Sequence, residues 1–175
     1  MQKTTIALAG VIVGLLIAFL VSALDSLPVW AQTSPETSYG EERALIENLQ
    51  ARYLFALDFK DHDLYVTTFT PDGILDVGNG EIVGREAIKA AVANMPGGRH
   101  HVANLVLQID GDRATGRASW FHTGNDNPEG RATIGGFGHY EDDLVKVDGE
   151  WLFARRRIYN EGNEAWAAPP GNPAW

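Results

Sequence analysis

The chain has 175 residues, a formal net charge of −9 and no cysteine. Nucleic-acid binding needs clustered lysine and arginine to neutralise phosphates, so an acidic chain without a basic stripe excludes that partner. The sequence has no cysteine, which excludes thiolate chemistry. It also lacks a P-loop, a dinucleotide-binding glycine fingerprint and a His-Glu-x-x-His motif, which excludes the common nucleotide and zinc-protease sites. We therefore expect no cofactor.

The N-terminus has the pattern of a secretory signal. Lys3 precedes the apolar run Ile6–Leu24, and Pro28 and Ala31 follow where a cleavage site is expected. The run is long enough that an uncleaved membrane anchor is the alternative. Either interpretation makes residues 1–31 a leader and predicts an exported domain, periplasmic or secreted, whose only contact with a membrane is this run.

A long helix is predicted after a linker over residues 32–40. Ser38 and Glu41 have the spacing of a capping box, which predicts a helix from near Tyr39 to near Asp58. Apolar residues recur along it at helical spacing and predict one buried stripe. The stripe consists of Leu45, Ile46, Leu49, Tyr53, Ala56 and Leu57.

Two more helices and a small hairpin are predicted before residue 99. Asp61 can cap a short helix over Leu64–Phe69, and Thr70–Gly73 has the composition of a turn. A hairpin is expected over residues 74–83, around Gly-Asn-Gly. A third helix is expected over Arg85–Met95, because its apolar residues again recur at helical spacing.

From Arg99 onward the pattern is that of strands, with tight turns at residues 111–112 and 148–149. Helices followed by an antiparallel meander predict an α+β fold, with three N-terminal helices packed on a curved antiparallel sheet as a cone-shaped α+β barrel. The domain is expected over residues 41–160, followed by an irregular tail over 161–175. The predicted strands are Arg99–Asp110, Arg113–Thr123, Thr133–Val147 and Trp151–Tyr159.

Two adjacent histidines begin the first long strand, and only one of them can face the helices. Neighbouring strand residues point to opposite faces, and His101 shares its parity with the apolar residues Leu105 and Leu107. Alternation therefore places His101 on the inner face, unless a bulge near Asn104 shifts the register.

Other candidates lie at the end of the first helix and on the second long strand. Tyr53 and Asp58 are five residues apart, so on an ideal helix their side chains point about 140° apart and meet only if the helix end bends. On the second long strand, His122 continues an apolar face that includes Trp120, as a ligand or an acid/base would. No pair of histidines or acids has the spacing of a known zinc or iron motif, so we expect no metal site.

The last strand carries consecutive arginines. By alternation, Arg155 and Arg157 continue the face of Trp151 and Phe153. A half-buried arginine needs a carboxylate partner or a bound anion. The alternative to an anion site is an ion-pair ladder with the acidic residues 141–143 of the preceding strand.

The order of elements and three local patterns resemble the SnoaL-like branch of the nuclear transport factor 2-like superfamily. The resemblance covers about residues 42–159 and is strongest to its dehydratase-type members, scytalone dehydratase and bile acid 7α-dehydratase. The three patterns are Arg52-Tyr53 leading to Asp58, His100-His101 with Asn104, and Asp148-Gly149-x-Trp151 before Arg155–Arg157.

The resemblance implies a set of site residues. It assigns catalysis to Asp58, Tyr53 and His100, which differs from the choice that alternation makes between the two histidines. His122 stands where the bile acid enzyme has a strand aspartate, and it is expected to act as a second acid. The expected substrate-binding residues are Arg157, Tyr140, His101 and Trp120.

The expected function is therefore that of a cofactor-independent dehydratase or isomerase acting on an oxygenated, hydrophobic small molecule. His100, oriented by Asp58, would remove a proton next to a carbonyl, and Tyr53 would hydrogen-bond the developing enolate. The alternative is a non-catalytic module of the same fold that binds a small ligand or pairs subunits. A homodimer is expected through the outer face of the sheet, where Val145, Val147 and Ile158 are the apolar candidates.

Overall fold

The computed structural model describes residues 37–95, 98–124 and 128–160. The predicted leader and the predicted C-terminal tail lie outside the described residues. None of the described helices is long and apolar enough to cross a membrane.

The described part comprises three helices and six strands, in nearly the predicted order. The helices are α1 (Tyr39–Asp58), α2 (His62–Thr67) and α3 (Arg85–Val92), and the strands are β1 (Phe69–Asp76), β2 (Glu81–Val83), β3 (Arg99–Asp110), β4 (Arg113–Gly124), β5 (Thr133–Val147) and β6 (Glu150–Asn160).

The capping box at the start of α1 is confirmed. The Glu41 backbone N–H donates to Ser38 Oγ (3.3 Å), and the Ser38 backbone N–H donates to Glu41 Oε2 (2.7 Å). The helix consequently begins at Tyr39, two residues before the expected domain start. The predicted stripe of α1 is buried with the exception of Leu45, which is 41% exposed.

The six strands form one curved, unclosed sheet in the order β2-β1-β6-β5-β4-β3. The α+β class is confirmed, with one difference in the pairing: β1 and β6 run parallel, while every other pair is antiparallel. The sheet therefore ends in two edge strands, β2 and β3. The edge formed by β3 lies next to α1.

Three local boundaries differ from the prediction. Thr70–Gly73 is not a separate turn but an irregular part of β1, because Phe69 and Ile74 pair with Phe153 and Arg155, which are only two residues apart. The second helix begins at His62, directly after its cap Asp61, and ends at Thr67. The third helix ends at Val92, earlier than the predicted Met95.

An extra residue in β3 decides which side chains face the helices. Ala103 pairs with Ser119 and Val106 with Arg117, so β3 advances three residues while β4 advances two. Asn104 takes a left-handed conformation (φ 55°) within this bulge. Because the bulge reverses the alternation, His100 shares a face with the core residues Leu105 and Leu107, and the choice of His101 by alternation was wrong.

A second extra residue has the same effect on β6. Leu144 pairs with Phe153 and Asp143 with Arg155, which leaves Ala154 as the extra residue. Arg156 is consequently fully buried in the face of Phe153. The prediction that Arg155 and Arg157 continue the face of Phe153 was therefore wrong.

Candidate active site

Asp58 is positioned by the way α1 ends. The backbone N–H of Lys60 donates to the Leu57 carbonyl (3.2 Å) and that of Asp61 to the Ala56 carbonyl (2.9 Å). This is the Schellman arrangement, and Lys60 supplies its left-handed residue (φ 62°) although it is not a glycine. The motif fixes Asp58 as the last residue of the helix, beside the start of β3.

Asp58 and His100 form a hydrogen-bonded pair. Asp58 Oδ1 lies 2.6 Å from His100 Nδ1, and Asp58 Oδ2 accepts a 2.9 Å hydrogen bond from the His100 backbone N–H. The Asp58 side chain is only 4% exposed and that of His100 19%. Two hydrogen bonds to one carboxylate hold both the strand and the imidazole, so the ring has one defined orientation.

The protonation of His100 follows from these surroundings. A carboxylate can only accept, so Nδ1 carries the proton and Nε2 is left with a free lone pair. Burial lowers the pKa of the His100 imidazole, an effect that the Asp58 contact only partly offsets, and the neighbouring His122 and His101 lower it further. A neutral, oriented imidazole is the form required of a general base.

His122 lies next to this pair. Its ring centroid is 4.8 Å from that of His100. A Cβ atom at Gly98 would lie 1.8 Å from His122 Nε2, and one at Gly135 would lie 2.8 Å from Nδ1. The two glycines therefore provide the space that the His122 ring occupies, a requirement that the sequence analysis did not identify.

Two predicted substrate-binding residues form an aromatic wall behind His100. The rings of Trp120 and Tyr140 stack at 5.9 Å, and the Trp120 ring lies 6.4 Å from that of His100. Trp120 Nε1 donates to the Tyr159 carbonyl (3.1 Å), which fixes the indole. Burial raises the pKa of Tyr140 well above its ordinary value, and the nearby Tyr53, Asp142 and Asp58 raise it too. The phenol therefore stays protonated at physiological pH.

A cavity of about 510 Å³ opens between α1 and β3, and the Asp58–His100 pair lies at one end of it. Its walls are largely apolar, with Gln50 and Asn104 contributing amides. The remaining lining residues are Arg43, Glu47, Ala51, Leu54, Phe55, His101, Val102, Ala103 and Leu105.

Tyr53 is separate from the pair. Its hydroxyl accepts a 2.9 Å hydrogen bond from Tyr65, and its side chain is sealed in the core. Burial raises the pKa of Tyr53 as well. The helix end does not bend enough to bring Tyr53 and Asp58 together, and Tyr53 does not line the cavity.

Arg157 and His101 both lie on the outer face of the sheet. Arg157 Nε is 3.3 Å from Asp76 Oδ2, and its guanidinium stacks on the Tyr159 ring at 4.7 Å. The His101 ring stacks on Phe121 at 4.5 Å, so this residue reaches the rim of the cavity without pointing its ring toward His100.

The sequence analysis missed a buried ion pair. Arg156 donates two hydrogen bonds to Asp142, from Nε (2.8 Å) and Nη2 (2.7 Å), and a third to Gln50 Oε1. Its guanidinium lies 4.0–4.3 Å from the ring centroids of Tyr53, Tyr140 and Phe153. Three consecutive arginines were the available signal, since the middle one must face inward when its neighbours face outward.

Within the described residues, no group of three or more histidine or acidic side chains could hold a metal ion. Asp58 and His100 are a pair, and the neighbouring His122 does not complete a ligand set with them. The chemistry that this arrangement offers is proton transfer by a carboxylate-oriented imidazole.

Comparison with known proteins assigns the family. The model of the SnoaL-like domain matches residues 39–157, which is most of the described part. The chain belongs to the SnoaL-like domain family. Comparison with curated proteins gave no match.

Solved structures similar to this SnoaL-like domain support the same fold. A variant of Rv3472, a protein of unknown function from Mycobacterium tuberculosis, is 32% identical, with a TM-score of 0.67, 74% of this chain covered and 77% of that one. A protein of unknown function with a cystatin-like fold, from Nostoc punctiforme, is 26% identical (TM-score 0.64, coverage 80% of this chain and 99% of that one). A candidate scytalone dehydratase from Novosphingobium aromaticivorans is also 26% identical (TM-score 0.59, coverage 68% and 83%).

Proposed function

We propose that this SnoaL-like protein is a lyase of the dehydratase type, or an isomerase, acting on an oxygenated, hydrophobic small molecule. The observation that carries the proposal is the 2.6 Å contact between Asp58 and His100 at the end of a largely apolar cavity. The similarity to a candidate scytalone dehydratase supports the same class of reaction.

The reaction begins with proton removal. The free lone pair of His100 Nε2 takes a proton from the carbon next to a substrate carbonyl, and Asp58 stabilises the imidazolium that forms. The electron pair of the broken C–H bond moves into an enolate. The enolate oxygen needs a hydrogen-bond donor, a role that the sequence analysis gave to Tyr53, but Tyr53 is sealed in the core away from the cavity and does not supply it.

The second step completes an elimination or an isomerisation. In a dehydration, the enolate reforms the carbonyl as a hydroxyl group leaves the β carbon. The His100 imidazolium gives that hydroxyl a proton, directly or through His122, so that water departs and His100 is neutral again. In an isomerisation, the proton returns to a different carbon. No redox partner is needed in either case, because no net oxidation takes place.

Proton transfer to deuterated solvent tests the proposal. The wild-type protein is incubated in D₂O with a panel of apolar cyclic ketones bearing a β-hydroxyl group, and NMR measures deuterium uptake next to the carbonyl and loss of water. We expect Asp58→Asn and His100→Gln each to slow exchange by about 10²–10⁴-fold, since the first removes the orienting charge and the second the base.

Asp63→Asn is the matched control. Asp63 is exposed on α2, where it pairs with Lys89 at 2.5 Å, and it is remote from the cavity lining. This variant is expected to exchange at the wild-type rate. Equal rates for Asp58→Asn, Asp63→Asn and the wild type would exclude catalysis by the pair.

The alternative is a module that binds ligands or pairs subunits, and the outer sheet face is the observation that favours pairing. Phe121 and Phe137 are exposed cross-strand neighbours, and Val147 is also exposed. Ile158 packs against the core and drops out of the predicted interface. We propose that the protein is exported. We also propose that it forms a homodimer through this face. Sedimentation tests the dimer, because Phe121→Glu should sediment as a smaller species than the wild type.

A further inference from the structure

The open edge of β3 is covered by side chains of α1 at both ends of the cavity. At one end, Asp58 accepts from the backbone N–H of His100. At the other end, Arg43 donates to the Leu105 carbonyl (3.2 Å), and Tyr39 beyond it donates to the Leu107 carbonyl (3.4 Å). An edge strand otherwise presents unpaired backbone groups, and here α1 satisfies them at these positions.

Val102 lies between these contacts with its backbone groups directed toward the cavity. Alternate residues of an antiparallel strand point their N–H and C=O to the same edge, so Val102 follows His100 in pointing away from β4. The pairs Val102–Trp120 and His100–His122 are two positions apart in the register, so they belong to the same set of pairs. No side chain of the described residues forms a hydrogen bond with the Val102 backbone, and Val102 lines the cavity.

The wall opposite Val102 selects the kind of molecule that fits. Ala51, Leu54 and Phe55 of α1 are apolar, and the Gln50 amide is already used by Asp142 and Arg156. The two charged α1 residues of the lining, Arg43 and Glu47, pair with each other at 2.9 Å. A ligand there gains apolar contacts from the helix and finds the Val102 N–H as a donor and the Val102 C=O as an acceptor. The spacing of these two groups is that of a single residue of a β ladder.

We infer that Val102 binds an acylamino-carbonyl unit, in which an N–H and a C=O flank one carbon, as in an N-acyl amino acid amide. The inference rests on the proposed function, since it names the substrate class that would reach His100. The hydrogen bonds at His100 and Leu105 limit the free edge to a stretch of about 16 Å, which five residues span in a strand. A small molecule fits this stretch, whereas an added strand from another protein would need a longer free edge.

NMR titration of the ¹⁵N-labelled protein tests the inference. The probe is N-acetylphenylalanine N-methylamide, and the matched probe carries a methyl group on the phenylalanine nitrogen and so lacks that donor. We expect the first probe to shift the Val102 amide resonance and to slow its hydrogen exchange. The methylated probe should bind about 3- to 10-fold more weakly, as expected for one lost hydrogen bond.

Two substitutions separate the Val102 backbone from its side chain. Val102→Pro removes the N–H, which edge strands tolerate where that N–H has no partner in the sheet, and Val102→Ala keeps it. Binding of the first probe should weaken about 3- to 10-fold more in Val102→Pro than in Val102→Ala. Equal binding by the two variants, or an unchanged Val102 resonance in the wild-type protein at saturating probe, would overturn the inference.

The titration also distinguishes failure of the inference from failure of the proposed function. If the Val102 resonance shifts while no ketone exchanges deuterium, the amide site stands and the acid/base function falls. If ketones exchange and the Val102 resonance stays unchanged, the amide site alone is wrong. The wild-type titration needs no variant, so it remains decisive even if Val102→Pro does not fold.

Discussion

Two hydrogen-bonded pairs, each of an aspartate and a basic residue, lie on the helix-facing side of the sheet and differ in burial, access and protonation. Asp58 and His100 are partly accessible, line a cavity and leave one ring nitrogen free. Arg156 and Asp142 are fully buried, joined by two hydrogen bonds and enclosed by three aromatic rings. Burial of charge alone therefore does not identify a reactive site. A reactive site is identified by access from the cavity together with a group that titrates near neutral pH.

The difference has a physical origin in the partner of each acid. An arginine keeps its proton, and Asp142 raises the pKa of Arg156 further despite the cost of burial, so this pair cannot exchange protons. A histidine exchanges its proton within the physiological range, and burial moves the pKa of His100 downward. The first pair is suited to fixing the position of β5 and β6, and the second to proton transfer.

Breaking the buried pair should have the largest effect on stability. Arg156→Met leaves Asp142 as an uncompensated buried charge, and we expect the free energy of unfolding to fall by about 3–5 kcal/mol in urea titrations. The double variant with Asp142→Leu should recover most of that loss. Arg155→Met is the control, because Arg155 is partly exposed and each of its ion pairs, with Asp76 and with Glu81, should contribute less than about 1 kcal/mol. Similar losses for the two single variants would contradict the structural role of Arg156.

Gln50 joins the two regions, since it lines the cavity and also binds both members of the buried pair. Gln50→Leu removes the amide N–H that donates to Asp142 and the amide oxygen that accepts from Arg156. We therefore expect a loss of about 1–3 kcal/mol in the free energy of unfolding. The deuterium-exchange rate should change less than tenfold, because Asp58 and His100 keep their contact. Asn48→Leu, on the exposed side of the same helix, is the control for both measurements. A decrease of tenfold or more in the deuterium-exchange rate of Gln50→Leu, with Asn48→Leu unaffected, would show that the two regions act together.

The smallest expected effect is the pH dependence that His100 confers on stability. Its pKa is lower in the folded protein than the ordinary value of 6.5, so acid protonates the unfolded chain first. The free energy of unfolding should therefore decrease as the pH falls below about 6.5, by at most about 1.4 kcal/mol per pH unit. His100→Gln should lose this component of the slope, and His62→Gln on α2 should retain it. An unchanged slope in His100→Gln would mean that burial does not depress the imidazole pKa.

The fold was largely predictable because helical and strand periodicities differ strongly in this sequence. The capping box and the apolar stripe located α1, and the Asp-Gly turns located the meander. The bulges were harder, since one extra residue leaves almost no mark in composition. Simple alternation therefore chose His101, and only the resemblance to the family selected His100, the histidine that contacts Asp58.

Alternation predicts that at least one of the three consecutive arginines faces inward, but it could not predict which one. Ala154 reverses the faces of β6, and nothing in the residue itself indicates a bulge. The separation of Tyr53 from Asp58 was predictable from helix geometry, which places their side chains far apart. The resemblance joined them nevertheless, because a family pattern records which residues are present and not which way each one points in this chain.

Asn104 divides β3 into two halves. Within each half the side chains alternate between the two faces of the sheet, and the bulge shifts the alternation of one half by one position relative to the other. His100 and Leu107 are seven positions apart, so a regular strand that kept all of these residues would turn them to opposite faces, and the bulge is what brings both toward the helices. If the bulge were lost without a deletion, the core half would keep its phase because it buries more apolar surface, and the N-terminal half would present His101 to Asp58. Deleting Asn104 together with the bulge would keep His100 on the inner face. The presence or absence of one bulge thus decides which of two adjacent histidines meets the acid, without changing any helix, which offers a route by which relatives with the same fold can acquire different chemistry.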